Sequence, residues 1–539
     1  MNDDDEPQSA KEAAAQAMAA AYAELRVPPH KPPLWCPPLE APPSPALSQA
    51  QILGRLRQSC GYRYDDERID ASFFTWQELN PPPRPAPHLQ RPRPDGTPYV
   101  PQDPPDPRPA LRLPPDWGEG TARIPLLDVM AVAGGSQPPQ QFAILGTRHR
   151  SGDCLAINLN DCLSLLLVGS PGGGKSYLMA AILESAMQQI YSINKLPHPM
   201  AGLGICLQPA GADTPELCSL ALPNMHPGQS KILTHIYRAL PEGMRDVVIL
   251  TETEHVEAMR KKNPHAQVHG LRFSTEELVG EGLRIGLGFG LDKEPVYAAA
   301  LQSAARRVRA RDKIITWDAL VVELEKEILL PGQKLLLLTR LRKLAPFVDD
   351  RQPARPWLAA GRFVLVHLHE DTQSYDHSMN MVALTLHTLV IGRPREVNGR
   401  RAPKLILAVD EAHKLADHPE VRRLVEQINR QRRHLDLNLI FASQDPHRLP
   451  KGILENLDGI GVFQHSVAKW AKALGQVAPP LAAFTEKIAA RLSPGMVALY
   501  FKRWWLQQDD AVHYENEVVL AHVRPRVSHH GGATRAAGE

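Results

Sequence analysis

The chain has 539 residues, of which 43% are hydrophobic and 22% charged, an ordinary soluble composition with material for roughly two to four domains, one of them large. Its formal net charge of +2 excludes a polybasic surface as a general binding device, so any nucleic-acid contact must come from a local groove or pore. The six cysteines, Cys36, Cys60, Cys154, Cys162, Cys206 and Cys218, form no C-x-x-C pair and stand at no zinc-ligand spacing with histidine, which reads as reduced structural thiols.

The chain starts Met1-Asn2-Asp3-Asp4-Asp5-Glu6, acidic where a signal peptide is basic. No later run approaches about 18 uninterrupted apolar residues. The expectation is a cytoplasmic protein without an integral membrane segment. An Ala-rich stretch, Gln8 to Leu25, has helical propensity. From Pro28 to Pro115 comes roughly half of the 51 prolines, a density that sustains neither helices nor central strands and favours extended polyproline-II and loop structure. Within it, Tyr62, Tyr64, Phe73, Phe74 and Trp76 suggest a small docking element. Residues 1–118 are read as this acidic start and proline-rich extension.

Short strand-like runs follow at Gln141–Leu145, Cys154–Ile157 and Leu163–Val168, the first two within a small β region, 119–162. From there to about Trp505, apolar strands alternate with amphipathic helical segments, which predicts a parallel α/β sheet. Val247–Leu250, Phe363–Leu368, Leu405–Val409 and Leu437–Phe441 are its best further strands. Residues 290–345 read as a helical insertion. Because the run Leu163–Val168 leads straight into Gly169-Ser170-Pro171-Gly172-Gly173-Gly174-Lys175-Ser176, a phosphate-loop pattern between strand and helix, the fold class is read as α/β, a P-loop NTPase (RecA-like) core over 163–505 with a parallel-rich sheet, preceded by the proline-rich extension and followed by an arm, 506–539.

Gly169-Ser170-Pro171-Gly172-Gly173-Gly174-Lys175-Ser176 fits G-x-x-x-x-G-K-[ST], with an apolar strand before it and a helix from Tyr177 after it, the context this motif requires. Its glycines let backbone N–H groups turn in around phosphates at a helix N-terminus. Gly169 to Tyr177 is thus a candidate site for ATP, with Lys175 on the β- and γ-phosphates and the Ser176 hydroxyl on Mg²⁺. Leu405 to Val409 then ends in Asp410-Glu411. Asp410 is placed to reach the metal and Glu411, further out, to activate water as general base. Gln444, at the tip of the next strand, can sense the γ-phosphate or orient water. The cluster Asn429-Arg430-Gln431-Arg432-Arg433-His434 is either a solvated helix end or an arginine finger. The dense basic run Arg306, Arg307, Arg309, Arg311 reads as a solubilising face in preference to a DNA track, and His367-Leu368-His369-Glu370-Asp371 as polar residues at the edge of the site, its neighbours in sequence supplying no complete metal-ligand set.

In order and spacing these motifs resemble the HerA and FtsK superfamily of hexameric motor ATPases, including HerA-like proteins of the DUF87 type. Arg433 stands eleven residues before Gln444, where that superfamily carries its finger arginine, and Arg430 fits a second basic position. Val523-Arg524-Pro525-Arg526-Val527-Ser528-His529-His530-Gly531-Gly532 is similar to the arm that ends HerA-like proteins and crosses to the next subunit. The chain departs from the pattern at Gly204–Pro209, where the family usually has an acidic motif, and at the turn before the Gln444 strand, where the family's glycine is replaced by Asp436 or its neighbours. The resemblance implies a homohexameric ring hydrolysing ATP with Mg²⁺ at subunit interfaces and driving double-stranded DNA through its pore, helicase-like, in partnership with a nuclease or effector, as in end processing or antiphage defence. The family also contains ATPases of conjugative transfer and type IV secretion. A different class of function remains open beside these, an ATP-dependent assembly scaffold.

Overall fold

A computed structural model describes residues 130–530, apart from 135–138, 150–153, 191, 210–214, 290–294, 352–356, 371–374, 398, 466–467, 485–488, 507–510 and 514–517. The acidic start, the Ala-rich stretch and the whole proline-rich extension lie outside the described residues, as do Gly531 and Gly532.

The strands come in chain order as β1 (Met130–Ala133), β2 (Phe142–Arg148), β3 (Cys154–Asn158), β4 (Ser164–Val168), β5 (Asn194–Lys195), β6 (Ala201–Pro209), β7 (Val247–Thr251), β8 (Gln267–Gly270) and β9 (Phe363–Glu370). A small hairpin, β10 (Glu396–Val397) with β11 (Arg400–Arg401), precedes β12 (Leu405–Val409), β13 (Leu437–Ser443), β14 (Gly459–Val462), β15 (Met496–Phe501), β16 (Trp504–Leu506), β17 (Ala511–His513) and β18 (Val518–Val523). All but the hairpin join one sheet, ordered β17-β16-β1-β3-β2-β18-β15-β14-β4-β13-β12-β6-β9-β7-β8, with β5 beside β2.

From β14 to β8 every neighbouring pair is parallel. These strands are apolar runs because both their faces are covered: β12, Leu-Ile-Leu-Ala-Val, is buried at every position. Beyond β14 the pairing turns antiparallel through β15, β18, β2 and β3. The early strands β1 to β3 thus extend the edge of the main sheet.

One face carries α1 (Lys175–Met187), whose Leu178, Met179, Ile182 and Leu183 pack on Leu165, Leu167, Ile406 and Ile440. This helix is apolar nearly all round, the pattern of one enclosed on every side. On the opposite face lie α2 (Pro295–Asp312), α3 (Trp317–Glu325), α4 (Pro331–Leu344), α5 (Tyr375–Thr385) and, after the short α6 (Ala412–Leu415), α7 (Pro419–Gln431). Leu301, Leu337, Met379 and Leu424 from these helices share a core with Leu166, Val364 and Leu407 of the sheet. Three layers result, a mixed α/β fold with a large, mostly parallel central sheet: a P-loop NTPase core.

Parallel strands ending on one edge place β4, β12 and β13 side by side, with β13 between the other two. The segments that follow each of them, Gly169 onward, Asp410-Glu411 and Gln444, are therefore neighbours despite lying up to 275 residues apart in register contacts such as Leu163 N to Asn438 Oδ1.

Candidate nucleotide site

Between β4 and α1 the loop turns on glycines with positive φ, Gly172 at 74° and Gly174 at 107°, values that side-chain-bearing residues rarely adopt. Phe463, fully buried at the end of β14, forms its floor: a β-carbon at Gly169 would fall 2.6 Å from Phe463 Cβ. Ser170 N donates to Gln464 O at 2.8 Å, and Phe463 N to Val168 O at 2.7 Å. The loop is thereby held by β14 as well as by β4.

Lys175 opens α1 and its Nζ donates to Gly169 O and Ser170 O, each at 2.9 Å. Burial holds its pKa below the usual lysine value, with Glu411, Asp410 and Glu216 acting in the opposite sense. Ser176 Oγ donates to Asp410 Oδ2 at 3.2 Å, so hydroxyl and carboxylate already meet. Burial, reinforced by the charges of Glu411 and Glu216, pushes the Asp410 carboxyl up to about 6. Such an acid gains from a divalent cation, which removes the cost of burying the anion. A hydroxyl and a carboxylate oxygen at hydrogen-bond distance are the hard-donor pair that Mg²⁺ prefers, so these residues fit that ion.

Glu411 sits in left-handed backbone, φ 52°, a conformation uncommon outside glycine, asparagine and aspartate. The turn carries its side chain past Asp410 to Gln444, whose Nε2 donates to Glu411 Oε1. The other oxygen, Oε2, is buried without a hydrogen-bond donor among the described residues, although His413 Nδ1 lies 3.3 Å away. One oxygen is fixed and one lone pair stays available, as a base positioned to take a proton from water requires.

Arg433 lies elsewhere. It follows α7 and precedes β13, at the opposite end of that strand from Gln444. Seven residues of strand at about 3.3 Å each separate the two ends by roughly 20 Å, which rules out a contact with its own nucleotide loop. Arg430 pairs with Glu426 at 3.5 Å. Arg432 is tied to Cys162 O, Asn429 O and Asp458 Oδ2. Arg433 alone of the three is exposed with no hydrogen bond or ion pair of its side chain to the described residues. Asp436 adopts φ 49° at the turn into β13. It takes the left-handed conformation that favours glycine, with its carboxylate held by Arg401 at 2.9 Å.

Tyr177 faces away from the loop. Its hydroxyl donates to Gln229 Oε1 at 3.1 Å and accepts from Arg526 N at 2.8 Å. This contact belongs to a feature that sequence reasoning missed. After β18 the arm runs along its own α1, where the family resemblance implied a crossing to a neighbour. Arg524 and Glu184 are both wholly buried and meet at 2.8 Å. Glu184 also accepts from Val527 N, Ser528 N and Ser528 Oγ. Arg526, likewise buried, reaches Glu216 at 3.2 Å, and His530 reaches the same carboxylate at 3.0 Å. The one sequence signal for this contact is the lone glutamate, Glu184, within the otherwise apolar α1.

Three of the four arginines of the basic run on α2 are in ion pairs: Arg307 with Glu323 and Glu327, Arg309 with Glu276, Arg311 with Glu323 and Asp312. Arg306, the fourth, is exposed with no ion pair to the described residues.

No protein-family model and no curated protein sequence matches the chain. Among solved structures it is similar to VirB4 of Thermoanaerobacter pseudethanolicus, at 12% identity and a TM-score of 0.38 over 73% of this chain and 97% of that one. It is similar also to the bacterial conjugative coupling protein TrwBdeltaN70, at 12% and 0.39 over 69% and 86%. A third is the cytoplasmic domain of the Thermomonospora curvata type VII secretion ATPase EccC, at 13% and 0.30 over 73% and 29%. Likeness at this level carries no argument about this chain, and the functional reading rests on the site. No helix among the described residues is long and apolar enough to cross a membrane.

Proposed function

We propose that the chain is an ATP-hydrolysing motor of the HerA-like type, acting as a homohexameric ring that translocates double-stranded DNA. The observation that carries the hydrolytic part is the Glu411–Gln444 contact beside the Ser176–Asp410 pair. It sets a water-activating carboxylate next to a metal-binding pair at the mouth of a phosphate loop. In this reading the loop N–H groups and Lys175 bind the β- and γ-phosphates, and Ser176 and Asp410 hold Mg²⁺, which supplies charge neutralisation on the phosphates. Glu411 takes the proton of the attacking water, and Gln444 fixes that carboxylate and reports on the γ-phosphate. Arg433 serves the neighbour's site in trans. Its unpaired guanidinium, remote from its own loop, supports that assignment, and the assignment in turn requires an oligomer.

Glu411→Gln tests the base. The variant is expected to bind ATP as the parent does while turnover falls on the order of 10²–10⁴-fold; unchanged hydrolysis would reject Glu411. The cargo is tested with the same preparation. Hydrolysis stimulated by duplex DNA, falling steeply with salt, supports the translocase. Co-purification with membrane components instead favours conjugation or secretion, and slow, DNA-insensitive turnover with ATP-dependent assembly favours a scaffold that recruits a nuclease or other effector.

A further inference from the structure

On the far side of the sheet edge from the phosphate loop, β7 and β9 run parallel, Leu250 opposite Val366. Glu252 follows directly on β7, and His255 closes the single helical turn after it. His369 stands at the end of β9, two residues beyond His367 and on the same face of the strand. Register therefore gathers three imidazoles and one carboxylate from segments 117 residues apart.

The contacts are close. His369 N donates to Glu252 Oε1 at 2.8 Å, and His369 Nδ1 lies 3.0 Å from Glu252 Oε2. The rings of His255 and His369 have centroids 4.0 Å apart, and His367 packs edge-on against His369 at 4.6 Å. One ligand atom each from Glu252, His255 and His369 falls within 4.8 Å of the others. His367 is 3% exposed and neither of its ring nitrogens has a hydrogen-bond partner among the described residues.

We infer that Glu252, His255 and His369 form a binding site for one transition-metal dication of the zinc class. Two imidazoles and a carboxylate are the donor set of open zinc sites, which keep a fourth position for water. Ligands about 2.0–2.1 Å from a tetrahedral zinc sit roughly 3.4 Å apart. The Glu252–His369 pair, 3.0 Å apart, opens by about 0.4 Å to reach that separation, and the metal takes the place of the proton they share. His255, the most exposed of the three, closes the remainder by side-chain rotation and leaves an entry path from solvent. His367, beneath them, supplies an imidazole to hydrogen-bond the metal's water, the kind of outer partner that most buried metal sites contain. The ion would tie the end of β7 to the end of β9, two strands from Asp410 and on the same edge of the sheet.

The test uses the full chain, stripped with chelator and titrated in nucleotide-free buffer with Zn²⁺, and with Co²⁺ for its visible absorption bands. About one equivalent per chain with a four- or five-coordinate cobalt spectrum is expected. His255→Ala and His369→Ala should each weaken binding by more than the roughly 10–100-fold that loss of an outer partner costs, and His367→Leu by about that amount. Asp410→Asn should leave zinc binding in place. Absence of stoichiometric zinc, zinc indifferent to both histidine substitutions, or zinc lost with Asp410→Asn would each overturn the site. Should His369→Ala fail to fold, His255→Ala, at a half-exposed position on a surface turn, decides the matter, with circular dichroism as the check on its fold.

Discussion

Replacing Glu184 by glutamine keeps the shape of the side chain and removes its charge, at a position with no access to water. The carboxylate accepts from Arg524 Nη1, Val527 N, Ser528 N and Ser528 Oγ, at 2.8, 3.1, 3.0 and 2.6 Å. Glutamine offers one acceptor oxygen to those donors and turns an NH₂ toward the rest, while Arg524 keeps its charge in an apolar setting. Removing one partner of a buried ion pair costs about 3–5 kcal/mol, a large share of the 5–15 kcal/mol that folded proteins typically have in hand. Arg524→Met should cost a similar amount, since Arg524 also donates to Ile144 O, Ala181 O and Ser185 Oγ. The double variant should lose less than the sum of the two, by up to about 3 kcal/mol, because neither charge is then stranded. Urea unfolding followed by circular dichroism reads these differences, and limited proteolysis shows whether the arm is released first. Strict additivity, or a loss below about 1 kcal/mol for Glu184→Gln, would refute the idea that this pair fastens the arm to α1.

Other predictions concern the site and its surroundings. Arg433→Ala should abolish hydrolysis while sparing ATP binding, and mixing it with Lys175→Ala subunits should restore some turnover; mixed rings inactive at every ratio would remove the trans assignment. Gly174→Ala puts a β-carbon 3.1 Å from the Phe463 ring at φ 107°, a strain of about 1–3 kcal/mol, so nucleotide affinity should fall with the fold retained; an unchanged dissociation constant would contradict the described loop. His522, 3.1 Å from His149, is pushed down to about 3 by burial and by that neighbour. The unfolded chain therefore binds the proton first as pH drops below about 6.5, and stability should fall by roughly 2 kcal/mol between pH 7 and 5. His522→Gln should flatten that limb of the denaturation profile by the same amount, and an identical slope in the variant would exclude His522 as its source.

The nucleotide site was legible because its chemistry is local. Gly169 to Ser176 is one contiguous loop, and Asp410-Glu411 and Gln444 each cap an apolar run, so strand ends alone placed them on one edge. Strand order was the missing piece: only the sheet puts β13 between β4 and β12 and so brings Gln444 onto Glu411. The arm was illegible for a different reason. Arg524 and Arg526 are residue types almost never buried without partners, and those partners are far away in sequence: Glu184, which meets Arg524, lies 340 positions earlier in an otherwise apolar helix, and Glu216, which meets Arg526, lies 310 positions earlier. His367 and His369 were visible as an unusual pair, but Glu252 and His255 join them only through the pairing of β7 with β9. Asp436, at the turn into β13, adopts left-handed backbone at φ 49°, which its residue type alone does not announce.

Because Glu184 finds its partner 340 residues later, the order of synthesis acquires a role. A ribosome adding about 5–20 residues per second needs roughly 17–70 s to travel from one to the other. Throughout that interval α1 carries a carboxylate destined for burial with no cation to meet it, and β2 lacks β18, the strand that flanks it at Gly146 to Arg148. The helix behind the phosphate loop therefore locks only when residues 524–528 have emerged. A nascent or prematurely terminated chain holds the whole phosphate-loop motif but lacks the arm and β18 contacts that fasten α1 behind it.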